Sequence, residues 1–154
     1  MKRGKTIQEI EIAEKSTFTK TINGAGIVNY AGITGDFNPV HINSEYAQKT
    51  KFKGRIVHGM LSVGLISTIL GNDLPGPGSI FVSQNINFIA PVRIGDTVTA
   101  SVKVIDKDEE KNKLYLETIC KNEKDNLIID GEAVIMPPKK NLFLKFQKEG
   151  NDGN

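Results

Sequence analysis

The sequence predicts an α+β domain in which an antiparallel β-sheet wraps around one long buried helix. Three observations lead there. The stretch HGMLSVGLISTILGN, residues 58–72, puts Met60, Leu61, Val63, Leu65, Ile66, Ile69 and Leu70 on nearly every side of a helix, so that helix must be enclosed. Behind it come strand-like segments joined by short charged links, with no second helix between them, which is the element order of an α+β chain. A sheet curved around a single helix is the arrangement that covers such a helix on all sides.

Taken in order, Thr6–Ile22 reads as an edge strand feeding a short helix around Ala25–Ile33. A loop from Gly35 to His41 follows, then a short helix over Ser44–Lys49 with Ser44 as its N-cap. The buried helix ends at Gly71-Asn72, and DLPGPGS breaks all regular structure. TVTASVKV alternates cleanly, with Val98, Ala100, Val102 and Val104 facing one way. SIFVSQNINFIA, KLYLETICK and LIIDGEAVIM are strand-like as well, and DKDEEKN and NEKDN suit hairpins. Pro137-Pro138 closes a single domain over residues 1–138, leaving 139–154 as a C-terminal tail.

At 154 residues the chain is long enough to bury a core without staples. A formal net charge of +2 is too mild to argue for nucleic acid or an anionic membrane. The lone cysteine, Cys120, excludes an internal disulfide and suits a reducing cytosol, so a cytoplasmic protein is expected. The basic start carries no apolar stretch of a secretory signal, and the longest apolar run falls short of the ~20 residues a bilayer needs. Two histidines and one cysteine without ligand spacing predict no metal. PGPG lacks the Lys-Ser/Thr of a phosphate loop and reads as a turn.

Chemistry concentrates in two short stretches. In GDFNPVH, Asp36 and His41 would lie ~17 Å apart on an extended chain, so they cooperate only if the backbone folds back. Gly35 relaxes the entry, and Pro39 fixes its own φ and biases Asn38 out of the helical region, which permits that return. In IVHGM, Gly59 opens the buried helix, where amides lack intrahelical partners and carry partial positive charge. A carboxylate and an imidazole hold and deprotonate a water, and helix amides beside an apolar interior stabilise an oxyanion. Asp36 is expected to be desolvated beside that interior. On the residues alone, Asp36 and His41 also fit a solvated turn, and His58 fits a structural or capping group.

The motifs Asp-x-Asn-Pro-x-His, His-Gly-Met and Pro-Val-x-x-Gly-Asp, within GDFNPVHINSEYAQKTKFKGRIVHGML and GSIFVSQNINFIAPVRIGDTV, resemble the MaoC-like (R)-specific enoyl-CoA hydratases of the hotdog fold. The likeness runs from about Ser16 to Met136. It implies a hotdog fold, a homodimer, and an acyl-CoA thioester substrate bound near the dimer interface, with no separate cofactor. It further implies Asp36 and His41 as the catalytic pair, Gly59 as the amide holding the thioester oxygen, and Ser67 as a serine assisting the pair. Asn38 would support the loop, and Asn38 and His58, with Gly59, are candidate substrate contacts. The expected reaction is reversible hydration of trans-2-enoyl-CoA to (R)-3-hydroxyacyl-CoA. The alternatives are an acyl-carrier-protein dehydratase, a hotdog thioesterase, and a non-catalytic acyl-CoA-binding module.

Overall fold

The computed structural model describes residues 3–140. Five strands form one antiparallel sheet in the order β1-β3-β4-β5-β2, with β1 Lys15–Thr21, β2 Ile80–Phe88, β3 Thr97–Asp108, β4 Lys113–Lys121 and β5 Leu127–Met136. The helices are α1 Gly24–Thr34, α2 Pro39–Ile42, α3 Ser44–Lys49 and α4 Gly59–Asn72. The predicted α+β order and the wrapped helix are both present. Strand β3 carries the alternation read from the sequence, and β4 alternates as well. Val98, Ala100, Val102 and Val104 of β3 are buried, as are Leu114, Leu116, Thr118 and Cys120 of β4. Register places Ala100 beside Cys120 and Cys120 beside Ile129, so one apolar row runs across the sheet under α4. Val63, Leu65, Ile66, Ile69 and Leu70 of α4 fill that concave face.

Four expectations need correction. The segment before β1 is not all strand: Ile7–Glu9 forms a 3-10 turn, because the Glu9 carboxylate accepts from the Thr6 N–H at 2.8 Å and closes it. The N-cap of α3 is Asn43, whose side-chain oxygen accepts from the Tyr46 N–H at 2.9 Å, and Ser44 is already helical. His41 sits in the one-turn helix α2 and not in a loop. Lastly, α4 is not enclosed on every side in the single chain: Met60 is 54% exposed, and Gly64, Ser67 and Gly71 are exposed along the same flank. Apolar side chains of the edge strand β2 are open too, including Ile80, Phe81, Val82 and Phe88.

No helix among the described residues is long and apolar enough to cross a membrane. The tail expected from residue 139 lies outside the described residues beyond Lys140.

Candidate active site

The GDFNPVH segment folds back through a succession of caps. Gly35 takes the left-handed conformation, φ 77°, and its N–H donates to the Ala31 carbonyl at 2.8 Å, ending α1. An Asp36 carboxylate oxygen accepts from the Asn38 N–H at 3.2 Å, the side-chain-to-backbone turn that aspartate favours. Asn38 then caps α2 by accepting from the Val40 N–H at 3.3 Å, with Pro39 in the first turn, where a missing N–H costs nothing. Asn38 thereby caps the turn that follows Asp36. Within one turn the chain reverses and His41 points inward, almost fully buried.

His41 is held from the strand-like segment before α4. Its Nδ1 lies 2.9 Å from the Ile56 carbonyl; a carbonyl only accepts, so Nδ1 carries the hydrogen and Nε2 presents a lone pair. Arg55 Nε donates to the His41 carbonyl at 2.6 Å, and the Ile56 N–H donates to the Val40 carbonyl at 3.3 Å. Arg55 and Ile56 are therefore part of the site, yet neither carries a sequence signal beyond adjacency to His58.

Asp36, His41 and His58 each bring a polar side-chain atom to one place, all within 4.8 Å of one another. The convergence required of Asp36 and His41 is thus met. The expected desolvation of Asp36 is not: its side chain is 52% exposed in the single chain, because its loop stands at the surface. His58 Nε2 donates to the Asp36 carbonyl at 3.0 Å and lies 3.9 Å from a carboxylate oxygen. The two imidazoles stack at 3.9 Å between centroids, 28° from parallel. Stacked rings aim their in-plane lone pairs side by side, so they do not converge on one ion at the ~2.0–2.1 Å that zinc requires.

Beside it opens a cavity of about 450 Å³ lined by His41, Gly59, Phe88, Val92 and Ile129 among others. Gly59 and Met60 are the first residues of α4, whose amides have no acceptor within the helix. A side chain at Gly59 would meet the Phe88 ring at 2.6 Å, so only glycine fits while that ring stays in place. Ser67 does not join them. It is exposed, ~12 Å along the α4 axis from Gly59, and does not line this cavity. The serine that does is Ser62, buried with its hydroxyl unpartnered among the described residues, which the sequence reading missed because a serine inside a helix usually bonds a backbone carbonyl. Cys120 is core, as expected, and burial pushes its thiol up to about 12.

The family model for the MaoC like domain matches residues 7–125. The chain belongs to the MaoC-like (R)-specific enoyl-CoA hydratase family. Its structure superposes on an R-hydratase of Pseudomonas aeruginosa with a TM-score of 0.84 at 38% identity, covering 89% of this chain and 88% of the other. In sequence it is 47% identical to an (R)-specific enoyl-CoA hydratase of Rhodospirillum rubrum, over 85% of this chain and 90% of the relative. It is 41% identical to a 3-hydroxybutyryl-CoA dehydratase of Methylorubrum extorquens, over 86% and 84%. The MaoC-like chain accordingly has the hotdog fold and falls among hydro-lyases.

Proposed function

We propose that the chain catalyses the reversible (R)-specific hydration of trans-2-enoyl-CoA to (R)-3-hydroxyacyl-CoA. One observation carries the mechanism: an Asp36 carboxylate oxygen and a ring nitrogen of His41 stand within 4.8 Å of each other, and the Ile56 carbonyl engages Nδ1, leaving Nε2 as the acceptor. Two acceptors each ~2.8 Å from a single water, at its tetrahedral angle, are about 4.5 Å apart. A water so held has both O–H bonds engaged and a lone pair directed outward. His41 orients it, and Asp36 takes its proton as the oxygen bonds to C3 of the enoyl chain. The electrons pass to the thioester oxygen, where the Gly59 N–H stabilises the enolate. C2 then takes up the proton through the same pair, completing addition of water; the reverse sequence eliminates it.

We propose further that the protein is a homodimer. The open edge of β2, with Ile80, Phe81, Val82 and Phe88 exposed, and the uncovered flank of α4 form a continuous reason for a second copy to bind. The test of the chemistry is direct. Purified protein should bleach the ultraviolet absorbance of crotonyl-CoA's conjugated thioester, and Asp36→Asn and His41→Gln should each abolish this while leaving the fold intact. Activity retained in both variants would end the assignment, and thiol release from a saturated acyl-CoA would mark a thioesterase instead.

A further inference from the structure

His58 is 2% exposed and sits at the N-cap of α4, yet its side chain makes no capping bond there. Its Nε2–H turns away from α4 to the Asp36 carbonyl at 3.0 Å, with an Asp36 carboxylate oxygen at 3.9 Å. One face of the ring lies on His41 at 3.9 Å, and the ring packs against Tyr30 at 4.8 Å. The remaining nitrogen, Nδ1, is buried without a partner among the described residues. An unmet buried acceptor destabilises a fold, and a phenyl ring would fill the same space without one. Volume alone therefore does not account for an imidazole here; the donor aimed at Asp36 does.

The need for that donor follows from how Asp36 is otherwise held. Its other hydrogen bonds are short-range and exposed: its carboxylate to Asn38 N at 3.2 Å, and its own N–H to Thr34 Oγ1 at 3.3 Å. Water competes with both. Among the described residues, His58 makes the one hydrogen bond that ties Asp36 to a distant part of the chain, and the same ring braces His41. We propose that His58 is a positioning residue: it couples Asp36 to His41, holding the loop carboxylate at the spacing from Nε2 that one water can bridge. The turnover part of this assignment rests on the hydratase reading; the ordering of the loop does not.

Two variants divide the roles of the ring. His58→Phe keeps the stack and removes the donor; His58→Gln keeps an N–H donor and removes the aromatic ring. With crotonyl-CoA, His58→Phe should lose on the order of 10²-fold in kcat, the scale of a misplaced catalytic group, with KM within about threefold of wild type. His58→Gln should recover at least about tenfold of that loss. Independently of turnover, amide hydrogen exchange across Phe37–Val40 should quicken about tenfold in His58→Phe and stay near wild type in His58→Gln. If His58→Phe does not fold, His58→Leu against His58→Gln reads the same contrast. Wild-type kcat in the variant lacking the donor, a glutamine variant no better than it, or unchanged exchange in both would overturn the assignment. Should wild type leave crotonyl-CoA unchanged, the hydratase reading falls, and the exchange contrast alone then decides whether His58 orders the Asp36 loop.

Discussion

Replacing Gly59 by alanine separates the oxyanion role proposed for the α4 amide from any contribution to stability. A Cβ built there lies 2.6, 3.0 and 3.1 Å from atoms of the Phe88 ring, whereas carbons rest at ~3.5–4.0 Å. The ring must retreat by about 1 Å. Phe88 stands at the end of β2 and is 55% exposed, so it can swing outward at little cost. Alanine is also the better helix former by ~0.8–1.0 kcal/mol, which offsets part of the strain. Net stability should change by less than about 1 kcal/mol. Activity should respond quite differently. The backbone N–H is kept, but the methyl projects at the cavity that Gly59 and Phe88 both line, and so holds the proposed thioester oxygen off that amide. Losing one oxyanion donor costs ~2.7–4 kcal/mol, on the order of 10²–10³ in kcat. Crotonyl-CoA hydration followed by loss of absorbance, beside a urea titration of the same preparation, measures both quantities. An alanine variant within threefold of wild-type kcat would refute the placement of the thioester oxygen at this amide. A collapse of stability would refute the view of Phe88 as the yielding partner.

Four further outcomes are expected. Ile66, fully buried at the middle of α4, should lose ~2–5 kcal/mol on truncation to alanine, read as a lower urea midpoint at unchanged slope. Cys120 should resist alkylation in the folded protein at pH 8 and react only on unfolding, since its thiol keeps its proton up to about 12. The unfolded thiol ionises near its ordinary 9.0, so this cysteine's contribution to stability is complete below that pH and is lost as pH rises from there towards 12; a stability curve flat across that range in wild type and in Cys120→Ala alike would contradict the linkage. Val82→Lys on the open edge of β2 should halve the mass seen by light scattering to the 16.9 kDa of one chain. A wild type already at that mass removes the dimer.

The sequence by itself determined what local rules decide. Alternation through Val98, Ala100, Val102 and Val104 placed one face of β3 in the core because side chains in a strand repeat every two residues. The apolar load of α4 located the element around which the sheet closes. Asp36 and His41 were legible as candidates because their neighbours Gly35 and Pro39 permit the turn that brings them together; a solvated turn stayed open on the residues alone, and Asn38 entered only through the motif's resemblance to a family. Gly59 was legible because it opens a helix.

Only the tertiary structure decided the rest. The stack of His58 on His41 joins residues that no periodicity relates, and the tautomer of His41 depends on the Ile56 carbonyl, a backbone group with no mark in the sequence. Phe88 reaches Gly59 across the sheet from an edge strand, and Ser67 stands apart from the pair because helix rise carries it away along α4. The open flank of α4 and the exposure of Asp36 likewise follow from which surfaces one chain's sheet can cover. Local chemistry thus named the candidate groups; their spacing, their hydrogens and their access to solvent belong to contacts between segments far apart in the chain.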